Sequence, residues 1–305
     1  MPITLFSHPD CARHQAGEHH PERPARLSAI NDQLIRSGME FIVQQKDATP
    51  ATPADLYRVH NKLYVDETFD KAPAEGHIWL DAETQMSPGS LTAALYAAGS
   101  TINAVDQVMS GDNQQAFCAV RPPGHHACRD HGMGFCMFNN IAVAAAYAMD
   151  KYGLERITIV DFDVHHGNGT EDIFKDDPRV QLCSSFQQGL YPSDDDSVPA
   201  PHILNLPLPG GTKGDKYRQQ VTEFWFGAID AFQPQLILIS AGFDSHAEDE
   251  MSQFLLKDED YEWLSRQLKQ LADKHCHGRM VSTLEGGYAL SALGRSVVAH
   301  LKGML

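Results

Sequence analysis

Short β-rich apolar runs recur along the chain, at Ala116 to Val120, Ile157 to Val160, Val180 to Cys183, Ile203 to Leu206, Leu236 to Ser240 and Met280 to Leu284. Between several of them lie stretches with the 3.6-residue period of an amphipathic helix. The clearest, Ser90 to Met109, puts Leu91, Leu95, Ala98, Ile102, Val105 and Met109 on one stripe and stops at Gly111. Ile141 to Met149, Tyr217 to Phe232 and Tyr261 to Ala272 read the same way. Apolar strands alternating with helices predict a parallel sheet covered on both faces, an α/β architecture. No internal repeat, low-complexity tract or Pro/Gly/Ser linker interrupts the pattern, so residues 1–305 read as a single domain.

The polar residues cluster directly after these strands. Arg121-Pro122-Pro123-Gly124-His125-His126 follows the first, Asp161-Phe162-Asp163-Val164-His165-His166 the second, Ala241-Gly242-Phe243-Asp244 the Leu236 run, and Glu285-Gly286-Gly287-Tyr288 the last. Ligands of open parallel sheets bind beyond the carboxyl ends of the strands, so four such turns predict one shared pocket. Gly124, Gly132, Gly134, Gly167, Gly169, Gly242, Gly286 and Gly287 concentrate beside His, Asp and Tyr, where close backbone approach to a ligand is useful.

In an extended chain Asp161, Asp163 and His165 project to one side while His166 points elsewhere. Buried carboxylates need a cation or hydrogen-bond donors, and a metal ion is such a partner. Asp161 is as good a third ligand from this strand end as any. Asp163, His165 and Asp244 together would give three protein ligands with positions left for water and substrate, the pattern of a catalytic site. A mixed O,O,N set suits zinc and does not exclude Fe²⁺ or Co²⁺. The competing reading makes Asp163 and Asp244 N-caps of the helices that follow.

His125 and His126 suit acid and base roles beside a metal-activated water. A bare doublet is weak evidence, since His19-His20 is another, in a polar stretch that reads as surface. Tyr288 is a candidate donor to a developing oxyanion, against the plainer alternative of packing. No Gly-x-Ser-x-Gly elbow, Walker lysine loop or Gly-x-Gly-x-x-Gly junction is present.

The formal net charge of −16 disfavours nucleic acid and anionic membrane surfaces as partners. Asp194-Asp195-Asp196 and Glu248-Asp249-Glu250 read as solvated loops. The six cysteines form no C-x-x-C pair or dense framework, and no apolar stretch approaches the ~20 residues that span a bilayer. With no basic-then-apolar leader at the N-terminus, the expectation is a cytoplasmic protein with reduced thiols. A homo-oligomer is compatible with the sequence and not specified by it.

Arg121-Pro-Pro-Gly-His-His126, Gly132-Met-Gly-Phe-Cys-Met-Phe-Asn-Asn140, Asp161-Phe-Asp-Val-His-His-Gly-Asn-Gly-Thr170, Ser240-Ala-Gly-Phe-Asp244 and Glu285-Gly-Gly-Tyr288 occur in the order seen in the histone deacetylase family. From about His20 to Tyr288 the chain resembles bacterial histone deacetylase-like amidohydrolases of the class II type. The resemblance implies the arginase/deacetylase fold, three layers around a mainly parallel eight-stranded sheet. It implies zinc at Asp163, His165 and Asp244. Asp161 would instead orient His125 and, with Ser184, contribute to a structural potassium site. His126 would be the main base and acid, His125 its electrostatic partner, Asn168 the partner of His126, and Tyr288 the donor to the acetyl carbonyl. Gly134 and Gly286 would contact substrate. Phe135 and Tyr191 would wall the acyl-lysine tunnel, Met251 would lie at its rim, and Arg26 resembles the arginine of the internal acetate channel. Asn168 departs from the aspartate of many class I members, and Tyr288 is retained where a weakly active subgroup has histidine.

The function so implied is metal-assisted hydrolysis of the acetyl amide of N-ε-acetyl-lysine, in protein or peptide. The nearest rival is an acetylpolyamine amidohydrolase acting on small acetylated amines. That subgroup narrows its mouth with an insertion and carries a rim carboxylate; no insertion is obvious here, and Met251 leans toward a peptide-linked substrate. A rival of another class is a non-catalytic acyl-lysine binder or scaffold, against which the intact Asp, His, Asp and Tyr set argues.

Overall fold

The structure is a computed structural model that describes residues 3–111, 113–192 and 200–305. The acidic run Asp194 to Asp196 lies outside the described residues. The strands are β1 (Thr4–Ser7), β2 (Gln44–Asp47), β3 (Ile78–Trp79), β4 (Gln85–Met86), β5 (Gln115–Cys118), β6 (Ile157–Asp161), β7 (Val180–Gln187), β8 (Ile203–Leu208), β9 (Leu236–Ala241) and β10 (Met280–Leu284). Eight of them form one sheet in the order β2-β1-β5-β10-β9-β6-β7-β8. Every neighbouring pair in it is parallel. β3 and β4 pair antiparallel as a separate hairpin.

All six anticipated runs are strands, because each has apolar residues on both faces of a sheet buried on both sides. Along β9, Ile237, Ile239 and Ala241 enter one core and Leu236 and Leu238 the other. The first core takes Ile30 and Leu34 from the helix Ala25–Ser37, Leu264 and Leu268 from Asp258–His275, and Val297 and Leu301 from Leu290–Met304. The second takes alanines and valines of Ser90–Ser110 and Asn140–Tyr152. A fully buried Leu or Ile contributes about 1.5–3 kcal/mol, so the two cores dominate the stabilising terms.

Small residues set how closely that second layer packs. A Cβ on Gly99, inside Ser90–Ser110, would stand 1.9 Å from the Thr49 carbonyl oxygen, so only glycine lets the 49–51 segment cross the helix there. The expected helix Tyr217 to Phe232 is broken by one wide π turn, Thr222–Phe226, between Gly214–Val221 and Gly227–Phe232. The register shift of such a turn accompanies full burial of Trp225, whose indole N–H donates to the Leu204 carbonyl at 3.3 Å.

The topology gathers the polar turns. β5, β10, β9 and β6 are consecutive in the sheet. Their register sets Thr283 beside Cys118, Leu284 beside Ala241 and Asp161 beside Ser240. The four turns therefore leave the same edge side by side.

Candidate metal centre

Asp163, His165 and Asp244 bring one ligand atom each to within 4.8 Å of one another, and all three are buried. Asp163 Oδ1 accepts the His165 main-chain N–H at 2.9 Å, and Oδ2 accepts that of Gly286 at 2.8 Å. Asp244 Oδ1 accepts the N–H of Val164 at 3.0 Å. Its other oxygen, Oδ2, is buried without a hydrogen-bond partner and lies 3.3 Å from His165 Nδ1. Neither carboxylate caps the helix that follows it: the residue ahead of Asn168–Phe174 is Gly167, and the one ahead of Asp258–His275 is Lys257. An orphaned carboxylate oxygen beside a second carboxylate and an imidazole nitrogen fits a divalent cation.

The backbone is shaped to these carboxylates. A Cβ on Gly286 would fall 2.0 Å from Asp244 Oδ2 and 2.6 Å from Asp163 Oδ2, and one on Gly242 would fall 2.0 Å from Asp163 Oδ2. Burial would raise Asp163, but the charges of His125 and His165 outweigh it and hold the group low. Burial and the neighbouring Asp163 charge push Asp244 up. Burial works against a charged His165, yet its bond to Asp163 and the facing carboxylate of Asp244 raise it to about 10.

Asp161 stays outside this set. Its Oδ2 faces His125 Nδ1 at 2.9 Å, and Oδ1 accepts the Asp163 N–H at 3.1 Å. Ser184, opposite Asp161 on β7, faces His166 Nδ1 at 3.1 Å. His166 turns from the pocket, as alternation requires, and its Nε2 meets Glu171 at 2.9 Å.

The histidine doublet follows a turn with a cis Arg121–Pro122 bond. Its ring centroids are 4.0 Å apart. His126 Nδ1 faces Asn168 Oδ1 at 2.8 Å, which makes Nδ1 the protonated nitrogen and leaves Nε2 free to accept. Burial, then the charges of His125 and His165, depress His126 far below the ordinary histidine range. Burial opposes a charged His125 too, but Asp161 and Asp163 raise it to about 10. Burial raises the Tyr288 phenol well above its ordinary value, with Arg26 opposing, so it stays protonated.

His125, His126, His165 and Tyr288 line a pocket of about 190 Å³ that also takes in Gly134, Phe135, Tyr191, Met251 and Gly286. Phe135 has φ of 67° and stands 6.2 Å, edge to face, from the Tyr288 ring. Tyr191 stands 5.2 Å from His126. A Cβ on Gly134 would meet the His126 ring at 2.4 Å. Arg26 is fully buried behind the pocket, its guanidinium 4.9 Å from the Tyr288 ring centroid. It donates to Gly287 O at 2.7 Å, Glu22 Oε1 at 3.1 Å and Glu285 O at 2.5 Å.

Two sequence expectations are corrected. His19 is exposed, but His20 is half-buried because its ring packs edge-on against Phe135, centroids 4.5 Å apart. Glu248-Asp249-Glu250 is not simply solvated: Glu248 pairs with Arg295 at 2.6 Å, and Asp249 is buried because its carboxylate collects main-chain N–H groups. Pro123 and Leu190 also line the pocket, as does the exposed Glu83, carried by the β3–β4 hairpin. Glu285 is fully buried; its Oε2 accepts the N–H groups of Gly124 at 2.7 Å and His125 at 3.1 Å, and Oε1 accepts the Ser240 hydroxyl at 3.0 Å. Burial raises it to about 7. Sequence patterning missed Glu83 because hairpins of two-residue strands leave little periodic signal. It missed the role of Glu285 because a carboxylate serving backbone amides looks like any strand-end acid.

Residues 20–304 match the family described as histone deacetylase domain. The chain is 35% identical to the histone deacetylase-like amidohydrolase of Pseudomonas aeruginosa, over 93% of this chain and 77% of that protein. It is 36% identical to the human polyamine deacetylase HDAC10, over 93% of this chain and 44% of that longer protein. The crystal structure of the HDA15 HD domain superposes with a TM-score of 0.93 at 31% identity, covering 99% of this chain and 88% of that one. The eight-stranded parallel sheet flanked by helices is thus the arginase/deacetylase fold. With its five motifs gathered at one sheet edge and this likeness along nearly its whole length, the chain belongs to the histone deacetylase family.

Proposed function

We propose that residues 1–305 act as one catalytic domain, a zinc-dependent deacetylase that hydrolyses the acetyl amide of N-ε-acetyl-lysine in peptides or proteins. The observation that carries this reading is the unsatisfied Asp244 Oδ2, buried with Asp163 and His165 against a pocket that also presents His125, His126 and Tyr288. Asp163, His165 and Asp244 would hold Zn²⁺, which when bound supplies Lewis acidity and lowers the pKa of water toward roughly 7. Fe²⁺ has the same donors available to it. Asp161, with Ser184 across the strand pair, would hold a structural potassium ion.

His126, neutral at Nε2, takes the proton of the attacking water and returns one to the departing lysine amine. Asn168 keeps its ring in the required tautomer, and His125, charged against Asp161, stabilises the negative charge that develops. The Tyr288 hydroxyl donates to the carbonyl oxygen as it becomes an oxyanion. Phe135 and Tyr191 enclose the acyl-lysine stem and exclude water, with Gly134 and Gly286 giving the room and Met251 meeting the substrate at the mouth. Arg26, 4.9 Å from the Tyr288 ring, would line the channel by which acetate leaves.

A second reading has small acetylated amines as substrates, and Glu83 favours it. This exposed carboxylate lines the pocket, and among the described residues no Lys or Arg lines it beside Glu83. A cationic amine on the far end of a short substrate would meet it. Both readings are tested by one hydrolysis panel of acetyl-lysine peptides, longer acyl-lysines and acetylated diamines, with the zinc-loaded enzyme and Asp163→Asn. Preferred cleavage of the peptides, lost in Asp163→Asn, is expected; preference for the diamines over every peptide overturns the first reading in favour of the second.

A further inference from the structure

Tyr288 follows two glycines whose main-chain bonds run to Asp163, Phe243 and Arg26 and do not reach the N–H groups of the next two residues. Gly286 and Gly287 precede it, the latter at φ of 114°, and glycine pairs have the greatest backbone freedom of any dipeptide. The helix that follows, Leu290–Met304, has Ala289 at its N-cap and no side chain of its own capping it. The main-chain N–H groups of Tyr288 and Ala289 therefore need an acceptor from elsewhere.

Asp249 provides it. Its Oδ2 accepts the N–H of Tyr288 at 2.6 Å and of Ala289 at 2.9 Å, and its Oδ1 accepts the N–H of Met251 at 3.0 Å. The residue is 6% exposed. A carboxylate is suited to the place: three donors converge on two oxygens, and negative charge is favoured at a helix N-terminus. The loop that bears it is itself fixed, since Asp249 N–H donates to His246 O at 2.8 Å and the Ser252 hydroxyl to Asp244 O at 2.8 Å. One loop thus carries Asp244, the clamp on Tyr288 and the pocket-lining Met251.

We propose that Asp249 is the positioning residue for Tyr288, fixing its main chain so that the phenol meets the substrate carbonyl, and that it ties this placement to Met251 at the pocket mouth. This rests on Tyr288 being the oxyanion donor. A reacting group misplaced by about 1 Å can cost on the order of a hundredfold in rate. Asp249→Ala is expected to lower kcat at least tenfold, with KM changed less than about threefold. Asp249→Asn keeps the shape but turns an NH₂ toward one of the N–H donors, so it should fall in the same direction even if the alanine variant folds poorly.

The deciding measurement is a double-mutant cycle in the zinc-loaded enzyme, with metal content per chain checked for each variant. If Asp249 acts through the Tyr288 hydroxyl, adding Asp249→Ala or Asp249→Asn to Tyr288→Phe lowers kcat less than about threefold further. Equal losses in both backgrounds would make Asp249 merely structural and overturn the proposal, as would wild-type kcat in Asp249→Asn. A Tyr288→Phe enzyme with unchanged kcat would instead sink the role of Tyr288 itself, so the two failures are told apart.

Discussion

Glu22 is the perturbation whose consequence follows most directly from the packing. Its carboxylate is fully buried between two fully buried guanidiniums, those of Arg121 and Arg26, with His14 Nε2 at 3.3 Å. Burial alone would raise its pKa, but Arg121, then His14 and Arg26, hold it well below the ordinary glutamate value. Glu22→Gln keeps the shape and removes the only acid among these contacts, leaving two buried cations to carbonyls: Cys11 and His14 for Arg121, Gly287 and Glu285 for Arg26. Breaking a buried pair in this way costs about 3–5 kcal/mol. At about 2.1 cal/mol/K of unfolding entropy per residue, a chain of 305 residues loses about 6 °C of Tm for 4 kcal/mol.

The sign with pH follows from the depressed pKa. Stability contributed by a carboxylate held low in the folded state is fully present above the unfolded value, about 4.3, and is lost as pH falls through the folded one. The gap in Tm between wild type and Glu22→Gln should therefore be constant from about pH 6 to 8 and narrow below about pH 4. Thermal melts across that range check it. A variant within about 1 °C of wild type at neutral pH would show that the carbonyls alone satisfy the guanidiniums, and would refute the reasoning.

Three further outcomes concern the site. Tyr288→Phe removes an oxyanion donor and should lower kcat about a hundredfold with little change in KM; steady-state kinetics on an acetyl-lysine peptide read this directly. Gly286→Ala puts a methyl 2.0 Å from Asp244 Oδ2 and 2.6 Å from Asp163 Oδ2, so both carboxylates must shift; zinc affinity by chelator competition should weaken at least tenfold. Asn168→Ala takes the acceptor from His126 Nδ1 and frees the ring to adopt the unproductive tautomer, so kcat/KM should fall about tenfold while zinc content holds.

The strands that carry the site were legible because they are buried on both faces: a continuous apolar run such as Leu236 to Ser240 has no other comfortable place in a folded chain. β2 was not, because Gln44-Gln45-Lys46-Asp47 lies at a sheet edge, where polar residues guard against pairing with another chain. The metal donors came through as polar residues abruptly ending apolar strands, though spacing alone left Asp161 and Asp163 equivalent. What separates them is a partner from another strand: His125, following β5, claims Asp161, and Asp244, following β9, stands with Asp163. Asp249 had no such signal. Its two acidic neighbours made it look like solvated surface, and its N–H partners lie 39 and 40 residues on.

The bonding partners of the buried carboxylates at this sheet edge single out one place that fits a cation. Asp161 is taken by His125 and a main-chain amide, Glu285 by two amides and the Ser240 hydroxyl, Asp249 by three amides, and Asp163 by the amides of His165 and Gly286 and the His165 ring. Among the described residues only Asp244 Oδ2 is a buried carboxylate oxygen left over. The carboxylates around them raise His125 and His165 to about 10 against the effect of burial. Asp163, His165 and Asp244 would hold a divalent cation only with His165 deprotonated, so metal binding should release protons. His126, whose Nδ1 is turned to the neutral Asn168 rather than to an acid, is kept out of this exchange and stays available as a base.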